Sequence, residues 1–207
     1  MELMKLIKTI FFDLDGVLTT EKTGSITTSK YFAKKLGVNF QEVFEYKKKF
    51  DGDTDIGKIS DFDIWKKTCE KFGCRFSLEH LHEAFLSTPI DEKMVQYAIK
   101  LKSKYIVGII TDNSIGRIDA IVEKNNWSNI FDVIIISEEV RSTKKETKIF
   151  EIATQRANVN SEECIFIDNS QKNIDSAQKA GFVGVYFDDE IRDYENLFKM
   201  IDEIIMD

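Results

Sequence analysis

An α/β fold is predicted for this chain: a parallel sheet of about five strands with helices on both faces, interrupted early by an all-helical cap. Three features of the sequence predict it. From residue 90 onward, apolar runs suited to buried strands alternate with segments of helical apolar spacing. One more such run, residues 6–12, stands alone near the start. Between them, residues 19–89 hold no convincing strand. In order, the strands are expected at 6–12, 105–110, 131–136, 163–167 and 182–187. Helices are expected at 91–103, 115–124, 145–157, 171–180, with Gly181 as the stop, and 191–205. Short amphipathic helices at 29–36, 40–50, 62–72 and 78–86, broken by Gly24, Gly37, Gly52, Gly57 and Gly73, make up the insert. It cannot thread the sheet, so it must sit as a lobe above the strands' C-terminal edge. The core is thus 1–18 with 90–207, and the cap 19–89.

Composition narrows the function. At 207 residues, 43% hydrophobic and with 16 Phe, the chain has ample material for a packed core and is not disordered. A net charge of −7 argues against binding nucleic acid by phosphate neutralisation. No apolar run approaches the roughly 20 residues of a membrane span, and Met1–Lys5 lacks a leader pattern. Cys69 and Cys74 have no second pair to complete a zinc site, and Cys164 reads as core. A reducing, cytoplasmic setting is expected.

The chemistry gathers at strand ends. The first run stops at Asp13-Leu14-Asp15-Gly16, where glycine lets the chain turn away and two carboxylates stand together. Held close, they raise each other's pKa unless a cation or proton intervenes. Alone, the tetrapeptide reads equally as a solvated turn. Thr111-Asp112-Asn113-Ser114 ends the second strand at a helix N-terminus, a natural anion seat. Lys144 follows the third strand, and Asp168-Asn169-Ser170 ends the fourth. Hydroxyl, helix start and lysine suit a phosphate dianion; clustered aspartates suit Mg²⁺. Together they describe a phosphoryl-transfer site.

These motifs, in this order, resemble the haloacid dehalogenase superfamily, over nearly the whole chain. Phe12 to Leu18 matches the first motif, Ile110-Thr111 the second, Lys144 to Phe150 the third, and Ile165 to Ser170 with Asn173 and Ala177 the fourth. Gly57-Lys58-Ile59-Ser60 with Phe62 and Trp65 resembles the helical cap of sugar-phosphate phosphatases and β-phosphoglucomutase-like proteins. The resemblance implies a Rossmann-like core. It implies Asp13 as nucleophile and Asp15 as acid and base, with Mg²⁺ at Asp13, Asp15 (through its main-chain carbonyl) and Asp168. It implies phosphate contacts from Thr111 and Lys144, and Asn169 beside the metal. The expected substrate is a small phosphorylated metabolite, hydrolysed through an aspartyl-phosphate. A phosphomutase and a non-catalytic binding protein are the alternatives.

Three positions depart from the family pattern. Asp112 stands where Asn is usual; Asn113 takes over its phosphate contact if the loop is shifted, or Asp112 caps the helix near Ile115. Lys145 replaces a proline, leaving Lys145 and then Lys148 as alternatives to Lys144, and Asn169 replaces an acid. Other features point elsewhere. Residues 51–57 mimic a calcium loop but misplace its glycine and end on Phe62, so they read as an acidic turn of the cap near the site entrance. His80 and His82 read as surface residues, Lys47-Lys48-Lys49 as a solvated face, and Thr19, Thr20 and Glu21 as the hinge into the cap.

Overall fold

The structure, a computed structural model, describes residues 6–75 and 77–206; Met1–Lys5, read above as lacking a leader pattern, lie outside them. Strand β1 (Thr9–Phe12) leads into five helices, α1 (Gly24–Leu36), α2 (Phe40–Lys47), α3 (Asp51–Thr54), α4 (Asp61–Phe72) and α5 (Leu78–Leu86). Then follow α6 (Glu92–Lys102), β2 (Ile106–Thr111), α7 (Ile115–Asn125), β3 (Val133–Ile136), α8 (Ser137–Val140) and α9 (Lys148–Ala157). The chain closes with β4 (Cys164–Asp168), α10 (Gln171–Lys179), β5 (Val183–Tyr186) and α11 (Tyr194–Met206). The sheet is parallel throughout, in the order β3-β2-β1-β4-β5. This is the α/β, Rossmann-like arrangement the alternation predicts.

Every residue of β1 is buried, because successive side chains feed opposite layers. Ile10 and Phe12 join a cluster with Val107, Ile109, Ile165 and Ile167, covered by α6, α7 and α11. Phe11 joins Ile110, Ile135 and Phe166 on the other face, covered by α9 and α10. The cap helices have a core of their own, in which Phe32 and Trp65 stack at a centroid distance of 3.8 Å. That cluster also takes in Ala120 of α7, so the cap is seated on a core helix.

The cap differs from expectation in its boundaries. Helix α1 begins at Gly24, five residues early, with the Thr23 side chain accepting from the Ile26 N–H at 3.3 Å. Its first turns bury Ser25, Thr27, Thr28 and Ser29, and a polar buried face hides the helical period from a reading of apolar residues alone. The acidic turn at 51–54 is helical, with Gly52 inside it.

The linkers at either end of the cap meet, Thr19 bridging Ile90 in antiparallel fashion. Arg192, in the loop before α11, holds this junction. It donates to the carbonyls of Gly16 at 3.1 Å and of Val17 and Thr19 at 3.3 Å, and pairs with the buried Asp91 carboxylate. Tyr194 adds a hydroxyl donor to Asp91 at 2.6 Å. Burial pushes the Asp91 carboxyl up, but Tyr194, the Met94 N–H and Arg192 together bring it below its usual value. Arg192→Ala is expected to strand a buried carboxylate and destabilise the fold by about 3 kcal/mol, read by urea denaturation.

Candidate active site

Asp13 and Asp168 come to the same place because β1 and β4 are neighbours and end together. Both are buried, and the Lys144 ammonium lies between them, 2.7 Å from Asp13 Oδ1 and 2.8 Å from Asp168 Oδ2. Asp13 Oδ1 also accepts the Leu14 N–H at 2.7 Å. Asp168 is fixed by the Ser170 N–H at 2.7 Å and the Asn173 amide at 3.1 Å. Burial opposes the Lys144 charge, but Asp13, Asp168 and Asp112 outweigh it and hold the ammonium protonated. Burial pushes Asp13 upward, Lys144 pulls it down and Asp168 pushes it up again, leaving it raised. Lys145 and Lys148 are exposed, and of the three lysines it is Lys144 that lies against Asp13 and Asp168.

The Asp15 side chain points away from Asp13 and Asp168, which leaves its main-chain carbonyl as the group expected to face a metal. After Asp13 the chain makes one wide turn, in which Gly16 takes φ +81° and Thr19 N–H reaches the Leu14 carbonyl. A side chain at Gly16 would be strained at that φ and would run into Asn169, whose amide lies against it. The Asp15 carboxylate turns to Arg117, which grips it with two bonds of 2.7 and 2.8 Å. Burial pushes this carboxyl up, and the Arg117 charge and hydrogen bonds, with Asn113, more than reverse it, leaving it lowered. The side chains converging on one point are therefore Asp13 and Asp168. Among the described residues no group of three or more His, Cys, Asp and Glu forms a metal cluster.

The second-strand loop is also resolved in role. Asn113 donates its amide to Thr111 Oγ1 and to Asp15 Oδ2, both at 2.9 Å, tying the hydroxyl to the carboxylate. Asp112 does not cap α7. Its Oδ1 accepts the Lys144 N–H at 2.9 Å and so anchors the lysine's loop, while Glu138 caps α7 by accepting the Ile115 N–H at 2.6 Å. Sequence spacing carried no signal for that pairing.

Between cap and core lies a cavity of about 310 Å³ with no apolar side chain in its lining. Lys22, Ser25, Asp51 and Asp55 line it on the cap side, and Thr111, Asn169 and the aspartates on the core side. The acidic turn of residues 51–57 is expected near the site entrance, and Asp51 and Asp55 do line the cavity; Lys22 carried no signal in the sequence. His80 is half-buried and His82 exposed, away from this cavity.

Asp55 is half-buried near Asp112 and Asp51, and burial foremost, with those two charges, raises its pKa to about 7. The folded state therefore binds more protons than the unfolded between the ordinary 3.8 and 7, and stability falls as pH rises across that interval. Asp55→Asn is expected to abolish the fall. Thermal or urea denaturation would then show a gain on the order of 2 kcal/mol at pH 8 and little difference near pH 4.

A family model described as haloacid dehalogenase-like hydrolase matches residues 10–187. The chain belongs to this family. Among solved haloacid dehalogenase-family structures it is similar to an enzyme of Bacteroides thetaiotaomicron in complex with magnesium and inorganic phosphate. That match has a TM-score of 0.70 and 26% identity, covering 87% of this chain and 94% of the other. A phosphatase of the family from Thermococcus onnurineus matches with a TM-score of 0.60 at 20% identity, over 87% and 86% of the two chains. An L-2-haloacid dehalogenase from Xanthobacter autotrophicus matches at 0.68 with 14% identity, over 88% and 78%. The last two show a shared fold only. No curated protein matches the chain.

Proposed function

We propose that the chain is a Mg²⁺-dependent phosphatase that hydrolyses a small phosphomonoester through an aspartyl-phosphate on Asp13. The observation that carries this reading is the buried Asp13–Lys144–Asp168 arrangement, which lines one side of a polar cavity together with Thr111, with a second carboxylate, Asp15, two residues from the nucleophile. The donor set fits the metal. Two buried carboxylates supply hard oxygen ligands, and Mg²⁺ is ordinarily held by one or two carboxylates with substrate oxygens and water. The main-chain carbonyl of Asp15 would complete the protein's share. Bound there, Mg²⁺ would offset the repulsion between nucleophile and phosphate.

The residues divide the work. Asp13 attacks phosphorus in line and releases the alkoxide, which takes its proton from Asp15. The Arg117 pair favours the ionised carboxylate, so the protonated form that serves this step is the minor one. Water then attacks the aspartyl-phosphate, giving its proton back to Asp15 and freeing phosphate and Asp13. Thr111 and the Lys144 ammonium stabilise the transferring oxygens. The cap over the cavity keeps bulk water from the intermediate. The dehalogenase relatives raise a second possibility, but an alkyl halide leaves without a proton, and a carboxylate at 15 suits an ester.

A panel of phosphorylated sugars, nucleotides and short acids, assayed for phosphate release with Mg²⁺, tests the proposal. Release that stops on chelation supports it. Chloride release from 2-chloropropionate without phosphate release from any ester would replace it, and an isomerised sugar phosphate in place of free phosphate would make the protein a mutase.

A further inference from the structure

Nothing in the sequence marked Arg117, which lies more than a hundred residues from Asp15, on the helix that follows the second strand. It is 3% exposed. Burying a guanidinium opposes folding unless it is fully paired, so its placement calls for a partner that needs it. The partner is Asp15: Nη2 meets Oδ1 at 2.7 Å and Nη1 meets Oδ2 at 2.8 Å. A planar fork closing on both oxygens fixes where a carboxylate lies and also the plane it lies in. We infer that Arg117 is the positioning residue of the active site, setting the Asp15 carboxylate beside the nucleophile and referring its position to the cap.

Three elements hold the fork in turn. Asn113, at the end of β2, accepts from Nη1 at 2.7 Å, and Thr88, in the linker returning from the cap, accepts from Nη2 at 3.4 Å. Gly24, the first residue of the first cap helix, lies so close that a Cβ there would stand 2.5 Å from the guanidinium carbon. Among the described residues Nε has no hydrogen-bond partner, so the two Nη groups orient the plane. One cation thus touches the catalytic turn, the phosphate-side loop, the return linker and the cap. Asp15 is otherwise carried by a turn that Gly16 makes possible, and among the described residues Asn113 is its one other side-chain donor.

The inference rests on the phosphatase reading, and its test separates the two. Wild type, Arg117→Met, Arg117→Lys, Asp15→Asn and the Arg117→Met/Asp15→Asn double variant are compared by kcat/KM on glycerol 3-phosphate and 4-nitrophenyl phosphate. The first leaves as an alkoxide that needs a proton; the second leaves as a stable phenolate. Arg117→Met is expected to lose about 10²-fold on glycerol 3-phosphate and less than about fivefold on 4-nitrophenyl phosphate. Arg117→Lys, with a single nitrogen, is expected to recover part of the loss. In the Asp15→Asn background, removing Arg117 is expected to change either value by no more than about twofold, because it acts through Asp15. Equal losses on both esters, or a further large loss in that background, would reduce Arg117 to a structural ion pair. If Arg117→Met fails to fold by circular dichroism, Arg117→Lys carries the same comparison with the same two outcomes. A wild type that releases phosphate from neither probe nor any ester of the panel overturns the phosphatase reading, and the inference with it.

Discussion

Asp13→Asn is expected to lower phosphate release by about 10⁴-fold or more, with no loss of stability. The amide keeps the shape and still accepts the Leu14 N–H, which lies 2.7 Å from the native carboxylate. It cannot attack phosphorus as an anion. Removing the charge also relieves the push between positions 13 and 168, so the midpoint in urea should hold or rise, while Lys144 keeps Asp168 as its partner. A variant with folded-state spectra and wild-type turnover would show that the nucleophile lies elsewhere.

Lys144→Met is expected to have the largest effect on stability. Its ammonium lies within 2.8 Å of two buried carboxylates. Taking away one partner of a buried pair leaves an uncompensated charge, and here there are two such carboxylates. A loss of about 3–5 kcal/mol, measured by urea denaturation without added metal, is the expected result. Saturating Mg²⁺ should return part of it by binding only the folded state, while turnover stays low for want of the phosphoryl contact. If Lys144→Met matched the wild-type midpoint, the lysine would not be what balances the two aspartates.

What could be read in the sequence, and what could not, follows from the range of the interactions. Each strand of the sheet announces itself because a buried parallel strand reads as a nearly continuous apolar run, as residues 106–110 do. Asp13, Thr111 and Asp168 stand at strand ends, and strand ends share one edge of a parallel sheet, so their meeting was foreseeable; Lys144 reaches them from the loop that follows β3 and α8. The partnerships of Arg117 and Arg192 were not. Each joins groups about a hundred or more residues apart through a single side chain, and no local period records such a pair. Of the two readings open for Asp112, the helix cap fails for a similar reason. The residue sits where a helix cap belongs, and only the folded loop reveals that its partner is the Lys144 N–H. In α1 the buried hydroxyls masked the amphipathic signal, so the helix began earlier than its apolar residues suggested.

The strand order also governs how the chain reaches this fold. β1 lies at the centre of the sheet, yet its two neighbours begin at Ile106 and Cys164. The three apolar residues of β1, Ile10 to Phe12, have no edge to join until the chain as far as Ile106 is made. The cap helices pack mainly on one another and are expected to form sooner. Sheet assembly is thus the slow step, and chains stopped before β4 expose an unsatisfied strand edge. Such fragments are the ones expected to aggregate.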